Sequence, residues 1–132
     1  MLYLALKFLH VIGACVLLGT GAGIAFFMLM AHLTGKAATV AAVARIVVTA
    51  DFVFTATAVI AQPITGIGLV HAAGYSLGEG WIVLSLALYV ITGLFWLPVV
   101  WMQMELRNLA AAAAAQDKEL PERYHRLFWL WF

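Results

Sequence analysis

Three long apolar runs dominate this chain, and they cover approximately residues 2–30, 46–73 and 81–104. A helix needs about 20 consecutive apolar residues to cross the hydrocarbon core of a bilayer, and each run is longer than that. Only 10% of the 132 residues are charged, whereas soluble domains carry roughly 25%. The chain therefore lacks a polar coat for a water-facing surface. The sequence predicts an all-α, polytopic transmembrane bundle that forms a single domain in contact with lipid.

A fourth helix is predicted to begin at about residue 121. Residues 105–122 form a polar connector, and Pro121 is followed by charged residues and then by the apolar run Leu127 to Phe132. Six residues rise only about 9 Å in a helix, which does not cross a core of about 30 Å. The run is either an interfacial helix or the start of a fourth span that continues beyond Phe132, and we favour the second.

The distribution of basic residues predicts the orientation of the bundle. The turn at residues 74–80 contains no Lys or Arg, whereas the other two connections contain six of them. Short cytoplasmic loops are enriched in Lys and Arg. We therefore expect a multi-pass protein of the bacterial inner membrane with its N-terminus outside the cytoplasm, and Lys7, the exception, can extend to the interface. The basic residues behind this prediction are Lys36, Arg45, Arg107, Lys118, Arg123 and Arg126.

Each predicted span carries one polar stripe at helical spacing. Polar side chains are costly in lipid, so the three stripes are expected to face the interior of the bundle. Interhelical hydrogen bonding is the simplest role for their hydroxyl and amide groups. Gly19 and Gly23 are separated by four positions in span one and predict a close approach of another helix. The stripes comprise Tyr3, Lys7, His10, Gly13 and Thr20; Asp51, Thr55, Gln62 and Thr65; and Ser85, Tyr89, Thr92, Trp96 and Gln103.

His10 is the candidate cofactor residue, because an ionisable group inside a membrane is a functional candidate by default. It could ligate haem b or another metal, or it could form a hydrogen bond with a quinone. Alternatively, it is a neutral imidazole that is bonded to a hydroxyl such as that of Tyr89. Tyr89 and Gln62 are expected to line the same pocket. The other histidines are expected at exposed positions, with His71 at the outer interface and His32 and His125 in solvated flanks.

Asp51 lies close to the predicted cytoplasmic face. An ion pair with Arg123 or Arg126 at the start of the fourth helix is its simplest explanation. A proton relay is the alternative. Pro63 lies within span two, and proline leaves the carbonyl four residues earlier without its usual donor. We therefore expect a kink there and a free carbonyl at Val59.

Several segments resemble an uncharacterised bacterial family of predicted integral membrane proteins with four spans. The resemblance extends over essentially the whole chain and implies the fold, but no activity. It rests on the runs LKFLHVIG (6–13), GTG (19–21), AFF (25–27), ADF (50–52), QPITG (62–66), WLPVVW (96–101) and RYHRLF (123–128).

A looser resemblance connects the opening Lys7-Phe8-Leu9-His10 to the CopD copper-resistance proteins and the HemJ-type protoporphyrinogen oxidases. In these small bundles a histidine of the first helix is associated with haem b, which implies haem ligation by His10. HemJ-type proteins also use a lysine in a later helix, and spans two and three contain none. The oxidase activity is therefore not expected.

Three functions are compatible with the sequence. The first is a small accessory subunit that packs against other membrane subunits or against itself. The second is a haem b- or quinone-binding redox protein that uses His10. The third is a small transporter that uses Asp51 and Gln62. A net charge of +1 without a basic stripe argues against nucleic acid, and motifs of soluble hydrolases or nucleotide-binding enzymes do not occur.

Overall fold

The computed structural model describes all 132 residues, and the chain folds into five α-helices without a strand. A π-helical turn, Asp51–Thr55, joins the second helix to the third, so that the two form one continuous rod. Three rods, Leu2–Leu33, Ala37–Ala72 and Gly80–Ala115, are long and apolar enough to cross a membrane. The predicted all-α bundle is therefore confirmed. The helices are α1 (Leu2–Leu33), α2 (Ala37–Ala50), α3 (Ala56–Ala72), α4 (Gly80–Ala115) and α5 (Glu122–Trp131).

Two of the rods extend beyond the predicted spans into segments that the sequence also indicates as helical. The second rod begins at Ala37 instead of about residue 46, and α4 ends at Ala115 instead of about residue 104. Both additions are rich in alanine, which has the highest helix propensity, and neither contains Gly or Pro. The predicted turn at residues 74–80 agrees with the connection between α3 and α4. Gly35 and Gly74, with φ of 66° and 76°, supply left-handed conformations after α1 and α3 that favour glycine.

The hydrophobic core lies at one end of the bundle, where α1, α2, α4 and α5 meet. Six of the seven basic residues lie toward this end, which we call the basic end. Core residues recur at steps of three and four along each helix, so that one face of every helix is buried. The core consists of Ile24, Met28, Ala31, Val40, Ala44, Val47, Leu106, Ala110, Leu120, Tyr124 and Phe128.

The alanine-rich part of α4 belongs to this core. The sequence suggested a solvated connector, but Ala110 and Ala113 are buried, and α4 packs extensively against α2. Small side chains allow two helix backbones to approach closely. This contact anchors the basic end of α4.

The other half of α4 stands away from the bundle. The main contacts of α4 as a whole are with α2 and α5, whereas α1 packs mainly against α3, α2 and the π-helical turn. Most side chains between Trp81 and Val99 are consequently exposed. A cleft therefore runs between α4 on one side and α1 and α3 on the other.

The close contact between α1 and α3 uses glycines that differ from the predicted pair. A Cβ at Gly13 would lie 3.1 Å from Gln62 Nε2, and one at Gly66 would lie 3.1 Å from His10 Cε1. The positions of Gly19 and Gly23 meet no atom of another helix within 4 Å. The expected Gly19–Gly23 contact is therefore wrong for this bundle, because the stripe that meets α3 is the one that contains His10 and Gly13.

Candidate functional site

The cleft contains two cavities that meet near its middle. The first, of about 810 Å³, lies toward the N-terminus of α1, and we call it the N-terminal cavity. The second, of about 420 Å³, lies toward the basic end, and we call it the basic-end cavity. Leu17 and Tyr89 line both. The two volumes fall within or close to the range of about 300–1,000 Å³ that is typical of ligand pockets.

His10 lines the N-terminal cavity with a fixed ring orientation. Its Nδ1 lies 2.9 Å from Thr65 Oγ1, and the Thr65 hydroxyl donates its proton to the carbonyl of Ala61 at 2.8 Å. With the Thr65 proton assigned to Ala61, the threonine oxygen accepts a hydrogen bond from Nδ1–H of the ring, and the neutral form of His10 that fits this network is the Nδ1–H tautomer. In this tautomer Nε2 carries a free lone pair. The ring is thus prepared to accept a hydrogen bond or to ligate a metal through Nε2.

Gln62 supports His10 from the neighbouring helix. Its Nε2 donates to the backbone carbonyl of His10 at 3.0 Å, and the absence of a side chain at Gly13 makes room for the amide. The Gln62 side chain is buried, yet its Oε1 has no hydrogen-bond partner. A buried acceptor without a donor costs about 1–3 kcal/mol.

Tyr89 of α4 supplies the hydrogen-bond donor that the proline in α3 cannot supply. Its hydroxyl donates to the backbone carbonyl of Val59, which Pro63 deprives of its helical donor. The hydroxyl partner of His10 is consequently Thr65, and the expected His10–Tyr89 bond is not formed. Tyr89 still lines the N-terminal cavity together with His10 and Gln62, as expected.

The mouth of the N-terminal cavity is more polar than its walls. Lys7 lies one turn before His10. The Lys7 Nζ is 5.9 Å from the centroid of the Tyr3 ring, which is within cation–π range. Ser85, on the opposite wall, donates to the carbonyl of Trp81 in its own helix. The cavity thus has an apolar body with a cation and aromatic rings at its edge, which suits an amphiphilic ligand.

Several residues that line the basic-end cavity have a buried polar atom without a hydrogen-bond partner. Asp51 and Gln103 are each 4% exposed and Thr55 is 7% exposed. Asp51 Oδ2, Thr55 Oγ1 and Gln103 Oε1 are all buried without a hydrogen bond, as are the indole N–H groups of Trp96 and Trp131. Asp51 and Thr55 are the first and last residues of the π-helical turn, a feature that is frequent at functional sites.

The predicted ion pair between Asp51 and Arg123 or Arg126 is not formed. Arg123 instead bonds to Glu105 of α4, with Nη2 2.8 Å from Oε1. The physical reason is that the two groups lie at different depths in the bundle. α5 begins at the surface of the basic end, whereas Asp51 lies farther from that surface, where α2 joins α3. Asp51 is therefore a buried carboxyl group without a charged partner in this chain.

The remaining histidines divide differently from the prediction. His71 and His125 are exposed, as expected. His32 is half-buried, because its ring stacks on Phe128 with the centroids 3.8 Å apart. Its Nδ1 also lies 3.2 Å from the hydroxyl of Tyr124. His32 is therefore part of the packing that holds α5, and the expectation of a solvated side chain is wrong.

The sequence does not indicate the roles of Trp131 and Gly66 in the site. Trp131 lies in a terminal apolar run, although its spacing of seven residues from Tyr124 places both on one face of α5. Gly66 lies one residue after Thr65, and its missing side chain admits the His10 ring. Neither contact carries a local signal, because each depends on which helix lies opposite.

The geometry of three apolar rods agrees with the comparison to known families. The family model described as "Predicted integral membrane protein (DUF2269)" matches residues 4–132. The chain belongs to this family. Membership of the DUF2269 family supports an integral membrane protein, and the description names no activity. No curated protein and no solved structure matches the chain, and similarity to CopD or HemJ-type proteins is not shown.

Proposed function

We propose that this member of the DUF2269 family binds a quinol in the N-terminal cavity, with His10 Nε2 as the central hydrogen-bond acceptor. The supporting observation is the set of unused acceptors around the cavity. His10 Nε2 has a free lone pair in the Nδ1–H tautomer, and the Tyr89 oxygen can still accept a hydrogen bond because its proton is donated to the Val59 carbonyl. A reduced quinol offers two O–H donors, whereas an oxidised quinone offers none. The head group is thus recognised in its reduced form.

The tautomer of His10 also fits one axial ligand of haem b. A ligating histidine commonly donates its second ring N–H to a protein oxygen, as Nδ1 does to Thr65. Haem b, once bound, would supply one-electron chemistry. The residues that line the N-terminal cavity include no second His, Cys or Met. The quinol therefore fits the whole site better.

A titration with a decyl-substituted quinol under anaerobic conditions tests this proposal. The purified protein is held in detergent, and binding is followed by tryptophan fluorescence, since Trp81 lines the cavity. We expect the quinol to bind more tightly than the corresponding quinone. His10→Ala removes one hydrogen bond to the ligand and should weaken quinol binding about tenfold.

His71→Ala is the matched control, because His71 is exposed and does not line the cavity. It should leave the affinity unchanged. Equal binding by the wild type and His10→Ala would contradict the proposal. A Soret band that appears on addition of haemin, and that is lost in His10→Ala, would favour haem b instead.

An accessory role in a larger membrane complex is the second candidate. It is favoured by the spanning half of α4, whose apolar side chains are exposed along most of their length. Self-association would cover the same surface. Co-purification of stoichiometric membrane subunits in a gentle detergent would support this function. A protein that purifies as a monodisperse monomer, and that is as stable alone as in membranes, would argue against it. A transporter that uses Asp51 and Gln62 has less support, because the two residues line different cavities.

The cellular setting of the proposal is the bacterial inner membrane with the basic end in the cytoplasm. The support is the concentration of basic residues at that end, together with their known enrichment in cytoplasmic loops. The N-terminal cavity would then open toward the outer half of the bilayer. Labelling of single cysteines introduced at Ser76 and at Gln116 with an impermeant reagent in intact cells would test this orientation, and we expect only the former to react.

A further inference from the structure

The basic-end cavity has a predominantly apolar surface. The oxygens of Asp51, Thr55 and Gln103 that lack partners are buried beneath this surface. The Thr92 hydroxyl, on the α4 wall, donates to the Leu88 carbonyl of its own helix at 2.8 Å. Apolar cavities stay free of ordered water and bind apolar molecules. The expected occupant of the basic-end cavity is therefore a hydrocarbon chain.

The basic-end cavity continues the N-terminal cavity along the cleft. Leu17 of α1 and Tyr89 of α4 line both cavities and mark the junction between them. Because α1 and α4 run in the same direction, the residues that follow the junction on both walls lie closer to the basic end. A ligand whose head group is bonded to His10 and Tyr89 can therefore extend directly into the basic-end cavity.

The polarity of the N-terminal cavity determines how an amphiphilic ligand lies in it. Lys7 and Trp81 lie near its mouth, whereas Leu17 and Leu18 line its inner end. Lysine and tryptophan side chains at the ends of spanning helices lie at the level of the lipid head groups. The polar head of the ligand is therefore held on the side of the mouth. The tail of a quinol bonded to His10 points toward the junction.

Phospholipids of the bilayer also offer hydrocarbon chains, but the bound head group favours the tail of the quinol. Lipid chains are as apolar as the cavity wall, so the hydrophobic effect does not distinguish one chain from the other. A tail that is tethered at His10 enters the cavity in an intramolecular step, at an effective concentration that its length determines. Only a tail that is long enough to pass Leu17 and Tyr89 gains this advantage.

We propose that the basic-end cavity holds the apolar tail of the quinol whose head group binds at His10, so that the protein selects quinols with long polyprenyl tails. This inference rests on the proposed quinol site and adds that the two cavities bind a single molecule. His10 and Tyr89 hold the head group, and the walls beyond Leu17 hold the tail.

Gly21 allows the tail to be blocked without a change at the head-group site. The α1 residues that line the basic-end cavity are Leu17, Gly21, Ile24 and Ala25, which form one face of the helix. A Cβ at Gly21 meets no atom within 4 Å, so Gly21→Leu places a side chain in the cavity. Gly19→Leu is the matched control, because Gly19 has equally open surroundings on the same helix and lines neither cavity.

The test uses the full chain in nanodiscs under anaerobic conditions, with quinols that share one head group and carry either a methyl group or polyprenyl tails of increasing length. Concentrations are expressed per lipid, because the tail also increases partitioning into the bilayer. The wild type and Gly19→Leu should bind the longest-tailed quinol about tenfold more tightly than the methyl quinol, through the tether and the packed wall. Gly21→Leu should bind the methyl quinol as the wild type does and should lose the gain from the tail.

Tryptophan quenching locates the tail within the protein. Trp96 lines the basic-end cavity, whereas Trp101 of the same helix is exposed and lines neither cavity. A quinol with a brominated tail should quench a variant that keeps only Trp96. It should leave the matched variant that keeps only Trp101 nearly unquenched. Equal quenching of the two variants would place the tail in the surrounding bilayer and overturn the proposal.

The remaining outcomes separate the tail assignment from the quinol site itself. Equal affinities for all tails, with binding still weakened in His10→Ala, would overturn the tail assignment and leave the quinol site standing. Absence of binding by every quinol would overturn both. Brominated phospholipid that quenches Trp96 equally with and without the long-tailed quinol would assign the cavity to acyl chains. Gly93→Leu, on the opposite wall of the cavity, replaces Gly21→Leu if that variant fails to fold, and the same loss is expected.

Discussion

The hydroxyl of Tyr89 in α4 donates a hydrogen bond to the backbone carbonyl of Val59 in α3. This carbonyl is free because Pro63, four residues later, has no N–H to offer it. α3 nevertheless remains helical through Pro63. The bond joins α4 to α3 across the middle of the cleft, where the two helices otherwise have little contact. Tyr89 thus corrects a defect in one helix and holds the cleft at its present width.

Tyr89→Phe is expected to lower the free energy of unfolding by about 1 kcal/mol, because the Val59 carbonyl loses its donor. The loss should nearly vanish in a Pro63→Ala background, where the alanine N–H can bond to Val59 instead. A double-mutant cycle measured by unfolding in sodium dodecyl sulfate would reveal this coupling. Tyr75→Phe, at an exposed position, is the control. Equal losses in both backgrounds would mean that the bond does not depend on the proline.

Gly66→Ala should weaken both the α1–α3 contact and quinol binding. The added Cβ would lie 3.1 Å from His10 Cε1, so the ring or the helix must move and the bond to Thr65 is strained. Gly19→Ala is the matched control, since nothing lies within 4 Å of its Cβ position. It should be neutral or stabilising by up to about 1 kcal/mol through helix propensity. A greater loss at Gly19 than at Gly66, in unfolding and in quinol titration, would show that another helix face is the packed one.

The sequence was sufficient for the helices and for the polar stripe of span two. Apolar runs longer than a membrane span leave the chain few alternatives to helices, and Asp51 and Gln62 face inward as the cost of polar groups in lipid requires. The stripe of span three was predicted wrongly in part, because Ser85 and Thr92 are exposed and bond to carbonyls of their own helix. The prediction of a solvated His32 was wrong, because its partner Tyr124 is 92 residues away in the sequence. No local pattern encodes a contact at that separation.

The sequence also does not predict which acidic residue pairs with Arg123, for a related reason. Both Glu105 and Asp51 are acidic, and the choice between them depends on how deep α5 lies in the bundle. That depth is set by the burial of Phe128 among the other helices. The π-helical turn at Asp51–Thr55 likewise follows from packing and not from any Gly or Pro in the turn.

Phe128→Ala should release α5 from the basic end. The Phe128 side chain is fully buried and stacks on His32, and removal of a buried aromatic ring typically costs about 3–5 kcal/mol. We expect rapid proteolysis in the connector of residues 116–121, which the wild type resists. Trp129→Ala removes a larger ring at a position that is 59% exposed, and it should leave the connector resistant. Unchanged proteolysis of Phe128→Ala would show that α5 is held by other contacts.

Tyr124 should make the stability of the basic end sensitive to high pH. α5 lies outside the three spanning helices, and burial raises the pKa of Tyr124 from 10.0 to about 12. A raised pKa in the folded state means that the neutral phenol contributes stability below pH 10, and that this contribution is lost as the pH rises toward 12. Tyr124→Phe cannot ionise, so its stability should fall less than that of the wild type between pH 10 and 12. Parallel curves in chemical unfolding would contradict this expectation.

The ion pair of Arg123 with Glu105 should contribute little to stability despite its short distance. Arg123 is 66% exposed and Glu105 is 23% exposed, and exposed pairs of this kind are typically worth less than about 1 kcal/mol and weaken with salt. Glu105→Gln and Arg123→Gln should each cost less than that, and their double-mutant coupling should disappear in 1 M sodium chloride. Asp51→Asn combined with Arg123→Gln should be additive, because the two residues do not touch. A coupling above about 1 kcal/mol between Asp51 and Arg123 would instead restore the pairing that the sequence suggested, and α5 would then have to lie deeper in the bundle.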